Sequence, residues 1–137
     1  MNLRPVPDMK PSYRSHAVAL AFLFLAGAAR ALDWATMEIS ATPARGAEVV
    51  RARFEFKNAT TKPVQILEIR TSCGCTEATP SASKFAPGES GAIDVLFTIG
   101  QRTGLQEKEI TLFTDDATAP VRLTLKVKLP EPKTPGS

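Results

Sequence analysis

The chain has 137 residues with 43% hydrophobic content, two cysteines, one histidine and a formal net charge of +3. Two cysteines are too few for a disulfide-dense scaffold, so the fold must rest mainly on apolar burial. The basic excess is confined to the start: residues 1–31 hold four of the 17 basic residues (Arg4, Lys10, Arg14, Arg30) and one of the 14 acidic ones (Asp8), leaving 13 of each. A neutral remainder of about 106 residues gives no ground for expecting nucleic-acid or anionic-membrane binding, and it is long enough for one domain with a modest core.

Residues 1–31 read as a secretory leader. Arg4, Lys10 and Arg14 form a basic n-region, Ala17 to Ala29 an apolar h-region, and Ala29-Arg30-Ala31 a small-x-small cleavage site. The apolar run is shorter than the ~20 residues that span a bilayer as a helix. The expectation is therefore cleavage after Ala31, no stable membrane span afterwards, and a periplasmic or extracellular location. No cysteine follows the h-region, which excludes a lipidated N-terminal cysteine. His16 leaves with the leader, so the mature chain has no histidine.

From Leu32 onward the apolar period is two, the mark of strands with one buried face. A short strand is expected over Ala35 to Ser40. In Val50 to Lys57, Val50, Ala52, Phe54 and Phe56 alternate with Arg51, Arg53, Glu55 and Lys57. Val64 to Thr71 is apolar on both parities, which suits a strand covered on both sides or at a sheet edge. Thr76 to Thr79 is a short candidate. Ile93, Val95, Phe97 and Ile99 alternate with Asp94, Leu96 and Thr98, and Ile110 and Leu112 with Glu109 and Thr111. Val121 to Leu129 repeats the pattern against Arg122, Thr124, Lys126 and Lys128.

The breaks carry turn chemistry: Asn58 to Pro63, Pro87-Gly88-Glu89-Ser90-Gly91, Gly100 to Gly104, and Asp115 to Pro120. About seven short strands with regular turn signals predict an immunoglobulin-like β-sandwich over residues 32–129. Residues 130–137 are proline-rich and apolar-poor, and are expected to be disordered. The Arg51/Arg53 and Lys126/Lys128 stripes read as solvated faces that discourage edge-to-edge aggregation. Trp34 reads as a core or edge plug.

Four segments occur in order: Phe54-Glu55-Phe56-Lys57-Asn58, Lys62-Pro63-Val64, Thr71-Ser72-Cys73-Gly74-Cys75-Thr76 and Pro87-Gly88-Glu89-Ser90. In this combination the chain resembles the bacterial exported family called domain of unknown function 1573. More distantly it resembles immunoglobulin-like modules related to major sperm protein and hydin-type domains. The likeness covers about Trp34 to Val127 and implies an Ig-like sandwich, export, and no established activity. Family members often carry a glycine in the turn after the Phe-x-Phe-x-Asn strand. Here that turn is Asn58-Ala59-Thr60-Thr61, and Asn58 is expected to tolerate a positive φ in its place.

Cys73-Gly74-Cys75 is the one place where the sequence offers chemistry. Three readings stand side by side. The pair can be a structural or inert disulfide shaping a corner, with Gly74 permitting the bend. It can be a redox couple, because so short a ring is a poor staple and strained, exposed bridges are the more oxidising ones. It can also be a soft-metal site, with Cys73 and Cys75 as thiolate ligands to Cu(I). Zinc is disfavoured, since four ligands would need a dimer or carboxylates such as Glu77.

Other candidates carry less. Ser72, Ser81, Ser83 and Ser90 have no mature histidine as base. Asp115-Asp116 reads as a solvated turn rather than a calcium site, and Pro87-Gly88 as a structural turn rather than a phosphate loop. The expected function is a non-enzymatic binding or assembly module of the cell envelope with an unidentified protein partner. The alternative is a thiol-redox or copper(I) protein acting through Cys73 and Cys75.

Overall fold

The alternation of apolar and polar residues turns into nine strands in the computed structural model, which describes residues 3–4, 30–116 and 119–132. They are β1 (Leu32–Trp34), β2 (Glu38–Ala41), β3 (Val49–Asn58), β4 (Val64–Thr71), β5 (Thr76–Pro80), β6 (Lys84–Phe85), β7 (Ser90–Thr98), β8 (Leu105–Thr114) and β9 (Val121–Lys128). Two sheets face each other, one in the order β1-β3-β7-β5 and the other β2-β9-β8-β4-β6. The expected leader lies almost wholly outside the described residues, as do residues 133–137 of the expected tail.

The core lies between the sheets and is built from the parities the sequence displays. Phe54 and Phe56 on β3, Ile93, Val95 and Phe97 on β7, Ile110 and Leu112 on β8, and Leu123, Leu125 and Val127 on β9 are all buried. Each such side chain contributes roughly 1.5–3 kcal/mol of transfer free energy. Their polar neighbours face water, where Arg53 reaches Asp94 at 2.8 Å and Lys126 reaches Glu38 at 2.9 Å.

Three local features differ from the sequence expectation. In place of the one strand expected over Ala35 to Ser40 there are two, β1 ending before it at Trp34 and β2 starting only at Glu38. β1 pairs antiparallel with the end of β3, the chain then crosses between sheets, and β2 pairs parallel with β9. One strand cannot serve both sheets, so Ala35-Thr36-Met37 makes the switch. The double parity of β4 has a different cause from two-sided cover. The register against β8 shifts between Ile66 and Glu68, so Leu67 is the extra residue of a β-bulge and stands 60% exposed. Before the bulge Val64 and Ile66 point inward; after it Ile69 does.

Gly91 is the third. It belongs to β7 rather than to the preceding turn, paired with Phe56. A Cβ placed on it would come within 2.7 Å of Phe56 Cζ and 2.9 Å of Phe85 Cδ1. Those rings meet edge to face at 4.8 Å, and the Trp34 ring also lies 4.8 Å from Phe56. The missing side chain thus makes room for an aromatic stack.

Candidate functional site

Between β4 and β7 the chain changes sheets repeatedly: β4 lies in one sheet, β5 in the other, β6 back beside β4, and β7 beside β5. Ser72-Cys73-Gly74-Cys75 makes the first of these crossings. Cys73 and Cys75 are joined as a disulfide with Cα atoms 5.3 Å apart, inside the usual range. Both cysteines are half-buried, and Cys75 packs against the hydrophobic core.

The crossing is tied to both sheets. Ser72 N–H donates to the Glu109 carbonyl at 3.0 Å, and Glu109 N–H donates to Ser72 Oγ at 3.1 Å, fixing one end to β8. Thr98 N–H donates to the Cys75 carbonyl at 2.9 Å, fixing the other to β7. Inside the turn, the Cys73 carbonyl accepts from the Thr71 hydroxyl and from Thr76 N–H. Gly74 sits in this turn as expected, but the reason expected for it is not needed. Its φ is not left-handed, and an added Cβ would meet nothing within 4 Å.

Thr76 was not singled out by the sequence. It is 3% exposed, and its Oγ1 lies 3.5 Å from Cys73 Sγ and 3.8 Å from Cys75 Sγ. Disulfide sulfurs carry no proton, so the hydroxyl is the donor in both contacts. Only its position immediately after the second cysteine could have marked it. Its register partner Phe97 has Lys108 Nζ 5.1 Å and the Arg102 guanidinium 5.9 Å from its ring centroid.

Metal chemistry would need this bridge open, since Cu(I) takes thiolates rather than a disulfide. Among the described residues no group of three or more His, Cys, Asp or Glu side chains is placed to hold a metal ion. Glu77 lies on β5, and Asp115 is a backbone cap, its Oδ1 accepting from Gln65 N–H at 2.8 Å. No described helix is long and apolar enough to cross a membrane.

The second motif, Pro87-Gly88-Glu89-Ser90, docks on Asn58. Glu89 N–H donates to the Ala86 carbonyl at 3.0 Å around Pro87 and Gly88, whose φ of +77° is the left-handed value a type II turn requires. Gly88 N–H donates to the Asn58 carbonyl at 2.8 Å, and Asn58 N–H donates to the Glu89 carbonyl at 2.9 Å. Asn58 itself is fully buried. Its Nδ2 donates to the Lys62 and Phe85 carbonyls, and its Oδ1 accepts from the N–H and hydroxyl of Thr60. No non-glycine residue described has a positive φ, so Asn58 acts through its amide and not through the left-handed backbone expected of it.

The family described as "Protein of unknown function (DUF1573)" matches residues 32–129. The chain belongs to this family. No curated protein matches it. Among solved structures, this DUF1573 domain is similar to a protein of unknown function from Porphyromonas gingivalis W83, with 16% identity and a TM-score of 0.63 over 72% of this chain and 46% of that one. It is also similar to the VesB protease of Vibrio cholerae, at 12% identity and TM-score 0.55 over 72% of this chain and 32% of the protease. A third likeness is to an ASH/PapD-like domain of human CEP192, at 12% identity and TM-score 0.55 over 75% of this chain and 87% of that domain. The DUF1573 chain thus spans less than half the length of the first two, and at these identities the likeness is one of fold. The fold is an immunoglobulin-like β-sandwich of two sheets, similar to that PapD-like domain.

Proposed function

We propose that the DUF1573 domain is an exported, non-enzymatic module of the cell envelope that binds a protein partner by accepting a strand at the edge of β3. The observation that carries this reading is the incomplete pairing of that strand. β1 covers only Phe56 to Asn58, and Ala35 N–H reaches the Glu55 carbonyl at 3.0 Å. Among the described residues, Val49 to Phe54 have β7 on one side and no strand on the other.

The outward groups follow from parity. The Glu55 carbonyl points to the open side, so those of Arg51 and Arg53 do too, with their N–H groups. Such a row is a template for an added strand. Self-pairing centred on Arg51 would set like charges opposite each other, which favours a different chain as the occupant. The likeness to PapD-like folds is consistent with a binding role. Export rests on the leader pattern of residues 1–31.

Arg51→Pro tests it. Proline at this position removes an outward N–H without touching the ladder to β7. The variant is expected to fold and fractionate like the parent but to lose crosslinks from a photoreactive residue placed at Val49. Retained crosslinking, or a protein found in the cytoplasm with its leader intact, would overturn the proposal.

A second reading, thiol-redox function, is favoured by one specific observation: the buried Thr76 hydroxyl is directed at both sulfurs of the bridge.

A further inference from the structure

We infer that the Cys73–Cys75 disulfide is a two-electron acceptor for dithiols and that Thr76 is the residue that poises it. This deepens the thiol-redox reading and is independent of the β3 edge. A disulfide sulfur is a weak hydrogen-bond acceptor, whereas a thiolate is a charged, strong one. A buried hydroxyl with both sulfurs in reach is therefore poorly satisfied while the bridge is closed and well satisfied once it opens. The difference favours the reduced state, the same direction that makes a disulfide a stronger oxidant.

The approach is open. A Cβ on Gly74 would meet nothing within 4 Å, so no neighbouring group roofs the turn from that side. Cys75 is the sulfur-bearing residue packed on the core, which leaves Cys73 as the one to be attacked. A substrate thiolate attacks Cys73 Sγ, forming a mixed disulfide while the S–S bond breaks and Cys75 leaves as a thiolate beside the Thr76 hydroxyl. The second thiolate of the substrate attacks the mixed disulfide and releases Cys73. The substrate loses two electrons and becomes a disulfide; Cys73 and Cys75 gain them and take up the two protons that the substrate thiols gave up. Recharging the pair would require a separate disulfide-bearing oxidant. The substrate class is a protein or peptide dithiol that can reach a half-buried corner.

The test is redox equilibration of the full chain, as recovered from the cell, with dithiothreitol as the probe dithiol, followed by thiol trapping and mass measurement. Thr76→Val keeps the shape and removes the donor; it is expected to shift the equilibrium about tenfold toward the bridged form, equivalent to about 30 mV. Thr76→Ser is expected to restore the parent value. Among single-cysteine variants, Cys75→Ser should be alkylated faster than Cys73→Ser, because it leaves the outer thiol. Equal equilibria for the parent and Thr76→Val would refute the role of Thr76 while leaving the redox pair standing. A bridge that opens only when the protein unfolds would sink the redox reading itself.

Discussion

Gly91 offers the sharpest test of the packing argument. Alanine there adds one methyl group to a strand that β3 and β5 flank on either side. The methyl would sit 2.7 Å from Phe56 Cζ and 2.9 Å from Phe85 Cδ1, distances that real Cβ atoms do not adopt. Neither ring has an easy retreat, because Phe56 packs against both Trp34 and Phe85, and Phe56 and Phe85 are 3% and 1% exposed. Overpacking of this kind costs about 1–3 kcal/mol, against which the lower unfolded-state entropy of alanine returns about 0.4–1. The midpoints leave a net loss of about 1.3 kcal/mol, which lowers the melting temperature of a domain this size by roughly 5–10 °C. Gly74→Ala is the internal control: the chemical change is the same, but the site is open and its φ ordinary. It should be neutral or slightly stabilising. Thermal denaturation followed by far-ultraviolet circular dichroism reads both variants. If Gly91→Ala melts within 2 °C of Gly74→Ala, the stack is not the constraint described.

Asn58→Ala should destabilise the domain by on the order of 2–4 kcal/mol in urea titration, because it leaves the buried Phe85 carbonyl of β6 and the Thr60 N–H of the turn after β3 without their partner. Replacing Cys73 and Cys75 by serine together should cost only about 1.5 kcal/mol by the same measurement, since so short a loop removes little unfolded-state entropy. The Arg70 guanidinium, donating to the Glu68 carboxylate, holds that carboxyl below its ordinary range. Because the folded value is the lower one, the associated stability is present above the unfolded pKa and fades as pH falls through the folded one. NMR titration should find Glu68 low, and Arg70→Ala should return it to normal, with little change in melting temperature because the pair is exposed.

Alternation made most of the sandwich legible before any coordinates: β3, β7 and β9 bury the parities their sequences show. Features that depend on a partner were not legible. Leu67 looks like any other core leucine until β8 sets the register that makes it the extra residue of a bulge. Gly91 reads as turn punctuation because nothing local says that Phe56 and Phe85 will converge on it. At the candidate site the two cysteines were plain. Thr76 was not, because its importance comes from the turn that folds its hydroxyl back over the sulfurs.

The parallel pairing of β2 with β9 has a consequence for biogenesis. Glu38 to Ala41 lie beside Thr124 to Val127, so an early segment finds its neighbour only in the last strand. Loop closure over that separation delays productive folding until the whole domain is available. Until then the apolar faces of β3 and β7 lack the full cover of their opposing sheet. Such an incompletely covered state is the one most prone to aggregate. Topology thus makes completion of the sandwich wait for its last strand, β9.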